Sequence, residues 1–503
     1  MPKVRRRWSA TDPATTAALV PRDDVLLEEP DGEGAFRQAD GPFREYRRTL
    51  TTAADGTVSQ TTDYSITIPW FRWLFGPLVR WSMRHRPESG RQPWWAPPDR
   101  LNQRQTLVLG LLAAASMCSA YVNTLFSQTA SFAADEFGIG TGGQGIAGTV
   151  VRAGIVFMLP VAFLADRAGR RRVIRFVIFA APIVASLGAF APNFAVLTAT
   201  QTLGRPLGLA LDLLITVVAA EEMPRNSRAY AVSLMAMAQG LGSGVCVMSL
   251  RLADSGPGGW RTIYLITLVF LLVALDVSRR LPETERFQVH VEHNAPPGGI
   301  QRGRLLVQCA AAFFLNMFLA PASFFQNRYL DDVRGYSGGG VALFTVSTAT
   351  PAALGIVVGG KLADKVGRRP LGAVCTVVGT VFLALSYARS GAAMWVCTGT
   401  GGFILGMAVP ALAVYRSEVF PTGGRGVAAY IVTASALLGG AAAILVTGQL
   451  IDGGHTYGSV MGWLAVSQVL VALIVVFGFP ETAHRSLEEL NPIDRFSDSS
   501  EFA

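Results

Sequence analysis

From about residue 104 to residue 479 the chain alternates apolar runs of some twenty residues with short polar loops, and twelve such runs follow one another. A run of roughly 20 apolar residues matches a hydrocarbon core of ~30 Å, so each predicts a membrane-spanning helix. The first six fall at approximately 104–127, 143–165, 173–191, 194–221, 228–251 and 259–278, and the second six at 304–326, 338–362, 370–388, 392–418, 426–450 and 457–479. The pattern predicts an all-α polytopic membrane protein of five parts: an N-terminal extension (1–103), a six-helix bundle (104–278), a linker (279–303), a second six-helix bundle (304–479) and a tail (480–503).

The first hundred residues lack any sustained apolar run, which predicts that they stay on the cytoplasmic side without a secretory signal. Thr-rich stretches at Tyr46–Leu50 and Thr57–Ile68 flank Asp55-Gly56, a turn signal that predicts a small β-hairpin. Aromatic residues then mix with arginines from Ile68 to Arg86, the composition of a segment lying among lipid headgroups or of a linker packed on the helices. Its Gly76-Pro77 pair is expected to kink or interrupt a helix there.

Composition agrees with a membrane chain, since half the residues are hydrophobic and only 16% are charged. The net charge of +8 resides in short arginine blocks between spans, which excludes a nucleic-acid surface and sets orientation instead. Basic clusters follow spans 2 (Arg167, Arg170, Arg171, Arg172), 4 (Arg225, Arg228) and 8 (Lys365, Arg368, Arg369), placing those loops and both termini in the cytoplasm of a cell (plasma) membrane. Arg251, Arg261, Arg328, Arg334 and Arg389 fall on the opposite side as exceptions. The five cysteines all sit inside apolar runs, so neither a disulfide framework nor a metal site is predicted.

One short phrase occurs twice, 198 positions apart: Leu164-Ala-Asp166-Arg167-Ala-Gly169-Arg170-Arg171 and Leu362-Ala-Asp364-Lys-Val-Gly367-Arg368-Arg369. Pro282-Glu-Thr and Pro480-Glu-Thr repeat in the same register, and Glu222 to Arg228 returns loosely as Glu418 to Arg425. A period that long suits two homologous halves of a carrier. Gly360-x-Leu362-Ala363-Asp364-x-x-Gly367-Arg368-Arg369 resembles the signature that the major facilitator superfamily carries between its helices 2 and 3, and the resemblance extends over residues 104 to 490. The first copy has Ala162 in place of the leading glycine, a small-for-small change.

The resemblance implies a twelve-helix secondary transporter in which Asp166 and Asp364 lock and release the cytoplasmic loops, with Glu222 and Arg228 in one half and Glu418 and Arg425 in the other completing two charge networks. The turn itself asks for a left-handed backbone at Gly169 and Gly367, and the arginines after it anchor in anionic headgroups. Pro480-Glu-Thr and Arg485 to Leu490 resemble the sugar-porter and metabolite:proton symporter branches. Helix 7 reads Gln308-Cys-Ala-Ala-Ala where sugar porters carry Gln-Gln-x-Ser-Gly, and helix 10 has Ala413 in place of their tryptophan.

Polar groups inside the spans are the candidates for substrate and proton coupling, because an ionisable side chain there is costly. They are Asn123 and Gln128 in span 1, Arg152 in span 2, Arg205 and Asp212 in span 4, and Asn316 and Gln326 in span 7. Arg205 resembles the superfamily's helix 4 arginine; Asp212 returns to the same face about 10 Å along the axis, either to bridge with it or to bond another helix. Arg152 lies about 21 Å from the motif end of its span, either snorkelling outward or facing a cavity, where it would favour an anion. Span 1 has Asn123 where many proton symporters of the superfamily have an acid, which leaves Asp212 as the first proton candidate. No phosphate-binding loop, catalytic triad or histidine cluster is present, so neither ATP, an enzymatic activity nor a cofactor is predicted. The expectation is a monomer that moves a small polar or anionic metabolite on an ion gradient, with a sugar porter, a multidrug exporter or a non-transporting sensor of the same fold as alternatives.

Overall fold

The computed structural model describes residues 3–9, 18–54, 57–86, 92, 93, 95–158, 160, 161, 164, 170–224, 227–282, 301–413, 415, 419, 420 and 425–481. The extension is more than a hairpin. Strands β1 (Lys3–Trp8), β2 (Leu27–Pro30), β3 (Ala35–Asp40), β4 (Phe43–Thr52) and β5 (Val58–Ile66) form one antiparallel sheet in the order β1-β5-β4-β3-β2. The expected hairpin is β4–β5, with Leu50 opposite Gln60 and Tyr46 opposite Tyr64. Strands β1 to β3 escape sequence reading because they are short and rich in charge, as in Lys-Val-Arg-Arg-Arg-Trp.

Helix α1 (Arg72–Arg84) covers the sheet, its Val79 and Met83 packing with Val4, Leu26, Phe43 and Tyr64. Pro77 lies within α1, and of the two expected outcomes interruption does not occur: the helix continues through it. Proline removes one i→i−4 hydrogen bond, and here the buried face formed by Phe75, Val79 and Met83 outweighs that loss. On the face that α1 covers, Arg48 is fully buried against Glu28 at 2.6 Å, with Tyr46 donating to the same carboxylate and Arg48 Nη1 donating to the Ala18 carbonyl. A buried charge survives only when its partners are this complete.

The extension docks on the helices through apolar and polar contacts. Ile68, Phe71 and Phe75 join the main hydrophobic core, and Gly110 of α2 (Gln103–Glu136) lies so close to Pro69 that a Cβ would fall 2.5 Å from its ring. The Trp70 indole donates to Asp276, the Asp99 amide to Ser227 Oγ, and Tyr230 to the Trp95 carbonyl.

After α2 come α3 (Thr141–Ala153, running on as a tighter turn to Phe157), α4 (Arg170–Ser186), α5 (Phe194–Glu222), α6 (Arg228–Met248), and α7 (Trp260–Leu265) with α8 (Phe270–Arg280) as one kinked helix. The second series is α9 (Arg302–Phe324), α10 (Gly338–Val366), α11 (Arg368–Ala388), α12 (Gly391–Ala413), α13 (Arg425–Asp452) and α14 (Tyr457–Gly478). Among the described residues ten helices are long and apolar enough to cross a membrane; α3 and α5 occupy the second and fourth of the predicted positions. Most of the predicted linker, 283–300, lies outside the described residues.

Packing falls into two groups: α2 against α5, α6 and α8 in the first, and α10 and α11 against α12, and α9 against α13 and α14, in the second. The groups meet along α3–α13 and α6–α10. Small residues let the first pair approach, since Gly142, Gly145 and Gly148 recur at helical spacing and face Asp452, Ile444 with Gly448, and Phe324.

Candidate functional site

Three places carry the sequence-nominated residues: the loop end that holds the repeated motif, the opposite end, and the seam between. At the motif end, Gly367 separates α10 from α11 with φ at 103°, the backbone that the turn requires of glycine. The first two amides of α11, on Arg368 and Arg369, each donate at 3.1 Å to Glu481. The Pro-Glu-Thr echo therefore sits on the motif: a carboxylate satisfies free N–H groups at a helix start, where the dipole favours negative charge. Glu222 faces Arg104 at 3.7 Å, and its carbonyl accepts from Gln105. Arg170 and Arg171 open α4. Asp166, Arg167, Gly169 and Glu418 lie outside the described residues, as do the side chains of Arg228, Asp364 and Arg425 and the surroundings of Gly360, so that of the two expected charge networks only Glu222 has described contacts.

The opposite end is closed by contacts between the two groups. Asn327 donates to both the backbone and side-chain oxygens of Gln128, at 2.8 and 3.0 Å. Buried Arg328 reaches Asp332 at 2.9 Å, Gln144 at 3.0 Å and Asp135 at 3.3 Å. Asp254, after α6, accepts from Gly338 and Gly339 at 2.6 and 2.9 Å, capping α10 across the seam. Asp452, the last residue of α13, lies over Gly140 and Gly142 at the start of α3. These two aspartates are again 198 positions apart, so the repeat carries this signal too. Arginines that seemed misplaced by charge are paired here: Arg261 with Glu136 at 2.5 Å, and Arg328 as above.

Charge at this end is unevenly balanced. Asp135, Asp331 and Asp332 crowd around Arg328. Burial, then the neighbouring Asp135 and Asp332, push Asp331 up to about 6 from its ordinary 3.8. Burial also raises Asp135, against the pull of Arg328. Glu136 goes the other way: burial alone would raise it, but hydrogen bonds from Arg261 and Trp260 prevail and lower it.

In the seam, Arg152 projects from α3 against α13, its Nη1 only 2.9 Å from where a Cβ on Gly440 would be. The guanidinium thus lies against a glycine of the facing helix, between the two groups. Next to it Thr149 donates to the Ala441 carbonyl at 2.9 Å. Arg205 on α5 is near enough for the two guanidinium charges to oppose each other, and its Nε is buried with no hydrogen-bond partner among the described residues. Neither arginine has a carboxylate partner among those residues.

Asn123 Oδ1, likewise buried and unpartnered, lies against Gly208, one turn along α5 from Arg205; its amide donates to Ser119 at 3.2 Å. Asp212 accepts from Gln239 of α6 and not from Arg205, so it bonds another helix. The structure therefore brings together Asn123, Arg152 and Arg205. Gln128 belongs to the closed end instead, Gln326 donates to Thr345 at 3.2 Å, and Asn316 donates to its own helix at Ala312. Gln308 donates to the Tyr415 carbonyl.

Comparison with known proteins matches residues 112–350 to the family model "Major Facilitator Superfamily" and residues 301–493 to "Sugar (and other) transporter". An inferred metabolite transport protein of Haemophilus influenzae is 25% identical over 356 residues, 65% of this chain and 83% of that one. A gentisate transporter of Corynebacterium glutamicum is 26% identical over 237 residues, 44% of this chain and 53% of that one. In three dimensions the chain resembles the inward-open xylose transporter XylE of E. coli (TM-score 0.62, 16% identity, 77% of this chain, 99% of that one) and an inward-facing bacterial Spinster homologue (0.57, 17%, 79% and 97%).

Proposed function

The chain belongs to the major facilitator superfamily, and on that premise we propose that it is a secondary transporter of a small organic anion, working by alternating access in the cell membrane with the motif loops in the cytoplasm. The observation that carries this reading is the pair Arg152 and Arg205, two guanidinium groups in the seam without an acidic partner among the described residues. Charges placed inside a span call for compensation, and a bound carboxylate supplies it bidentately. Similarity to a gentisate transporter points the same way, gentisate being an aromatic carboxylate. The polar groups of α9 that a sugar would need are engaged within the protein, Gln308 on Tyr415 and Asn316 on Ala312.

Alternating access then requires the closed end to part while the motif end shuts. Asp254, Asp452, Arg328 and the α3 glycines make contacts that hold the outer end shut. Asp212, within a span and held by Gln239, is the candidate proton carrier. Counterflow in proteoliposomes tests the reading: benzoate-type acids should exchange, sugars should not, and an imposed inward proton gradient should drive accumulation. A protein that binds such acids but never moves them, at any pH gradient, would be a sensor with a carrier fold.

A further inference from the structure

Helix α1 has a face that nothing among the described residues covers. Trp73, Pro77, Arg80, Trp81 and Arg84 fall within about 100° of arc on the side away from Phe75, Val79 and Met83. All five are exposed, Trp73 by 65% and Trp81 by 50%. Arg72, exposed at the start of the helix, borders the groove beside this face, and among the described residues none of Arg72, Arg80 and Arg84 has an acidic partner. Beside this face runs an open groove of about 680 Å³, bordered by Tyr64 and Ser65 of β5.

Its height in the membrane is fixed independently. Trp70, two residues before α1, donates to Asp276, and Asp276 is one turn, about 6 Å, from the end of α8 at Arg280. Phe71 and Phe75 pack into the core of the transmembrane helices. The start of α1 is therefore level with the end of a spanning helix, where headgroups lie. Tryptophan and arginine together suit that layer: the indoles partition into the interface, and the arginines attract phosphate.

We infer that the exposed face of α1, with the groove beside β5, is a docking surface for anionic phospholipid headgroups of the cytoplasmic leaflet, which clamps the β-sheet extension to the membrane. Its cytoplasmic side rests on the orientation proposed above; the surface itself does not. Charge complementarity selects an anionic lipid, and the exposed tryptophans select a bilayer over a free anion. The extension thereby gains a fourth attachment, after its contacts with α2, α6 and α8.

Hydrogen exchange of the full chain in nanodiscs tests this without reference to transport, and both leaflets of a disc carry the same lipid, so orientation does not enter. Amides of residues 72–84 should exchange at least about tenfold more slowly in phosphatidylglycerol than in phosphatidylcholine, and high salt should erase the difference. The triple variant R72Q/R80Q/R84Q should lose it while exchange in β4 and β5 stays as in the wild type. The control R37Q/R47Q changes charge on exposed arginines of β3 and β4 and should keep the lipid effect. Equal exchange in the two lipids overturns the inference. So does loss of the effect in the control, or the same slowing in phosphatidylcholine discs on adding inorganic phosphate, which would make the site one for a free anion.

Discussion

Replacing Gly145 by alanine adds one methyl group at the point where α3 touches α13. That methyl would lie 3.0 Å from the Ile444 carbonyl oxygen and 3.2 Å from the Gly448 Cα. Both neighbours are backbone, so neither can rotate away, and the helices must separate. Forcing an extra carbon into such a contact costs about 1–3 kcal/mol. The gain in helix propensity, up to about 1 kcal/mol, accompanies the substitution in every conformation in which α3 stays helical, so it cancels from the equilibrium between states. Only the outward-closed state bears the clash, which should move the population toward the outward-open state by roughly 5- to 150-fold. Spin labels at the exposed positions Ser255 and His455, on the two sides of the outer end, would report it as a longer distance in double electron–electron resonance. Gly154→Ala is the contrast: its methyl would meet Thr202 of the same group, at 2.5 Å from the carbonyl oxygen, and should lower stability without shifting the label distance. An unchanged distance in Gly145→Ala, with the protein folded, would refute the reasoning that this seam opens.

Four further outcomes are expected. Arg152→Ala and Arg205→Ala should each raise KM for the transported anion at least about tenfold, with Lys restoring part of the loss, as measured by initial uptake rates. Asp254→Asn weakens a charge at a helix start worth about 0.3–1 kcal/mol, and should shift the same spin-label distribution outward by about two- to fivefold. Glu481→Gln keeps a hydrogen-bond acceptor but loses the charge on the first turn of α11; a small drop in melting temperature is expected, and none would mean that the contact is idle. Asp331 is an acid whose value is raised in the fold, so its stabilising contribution is complete below about pH 4 and is lost as the pH rises through about 6. The closed outer end should therefore be more populated at pH 4.5 than at 7.5, and Asp331→Asn should flatten that dependence.

Membrane class, helix positions and the twofold repeat were legible along the chain because each rests on a local property: length of apolar runs, charge at their ends, and an echo in register. The span predicted at 194–221 is the helix Phe194–Glu222, and the left-handed turn expected at Gly367 is there. Even the Asp254 and Asp452 pair was written in the repeat. The sequence alone could not decide which polar side chains share a space. Gln128, Asn123 and Arg152 all read as polar groups in spans, yet one latches the closed end opposite the motif and two join Arg205 in the seam. Nor did it reveal the five-stranded sheet, whose strands pair over distances up to Lys3 with Asp63, or that α1 would run through Pro77. Periodicity reports how a segment meets its solvent. Which face meets which partner depends on contacts between residues far apart in the chain, and only the packed structure fixes those.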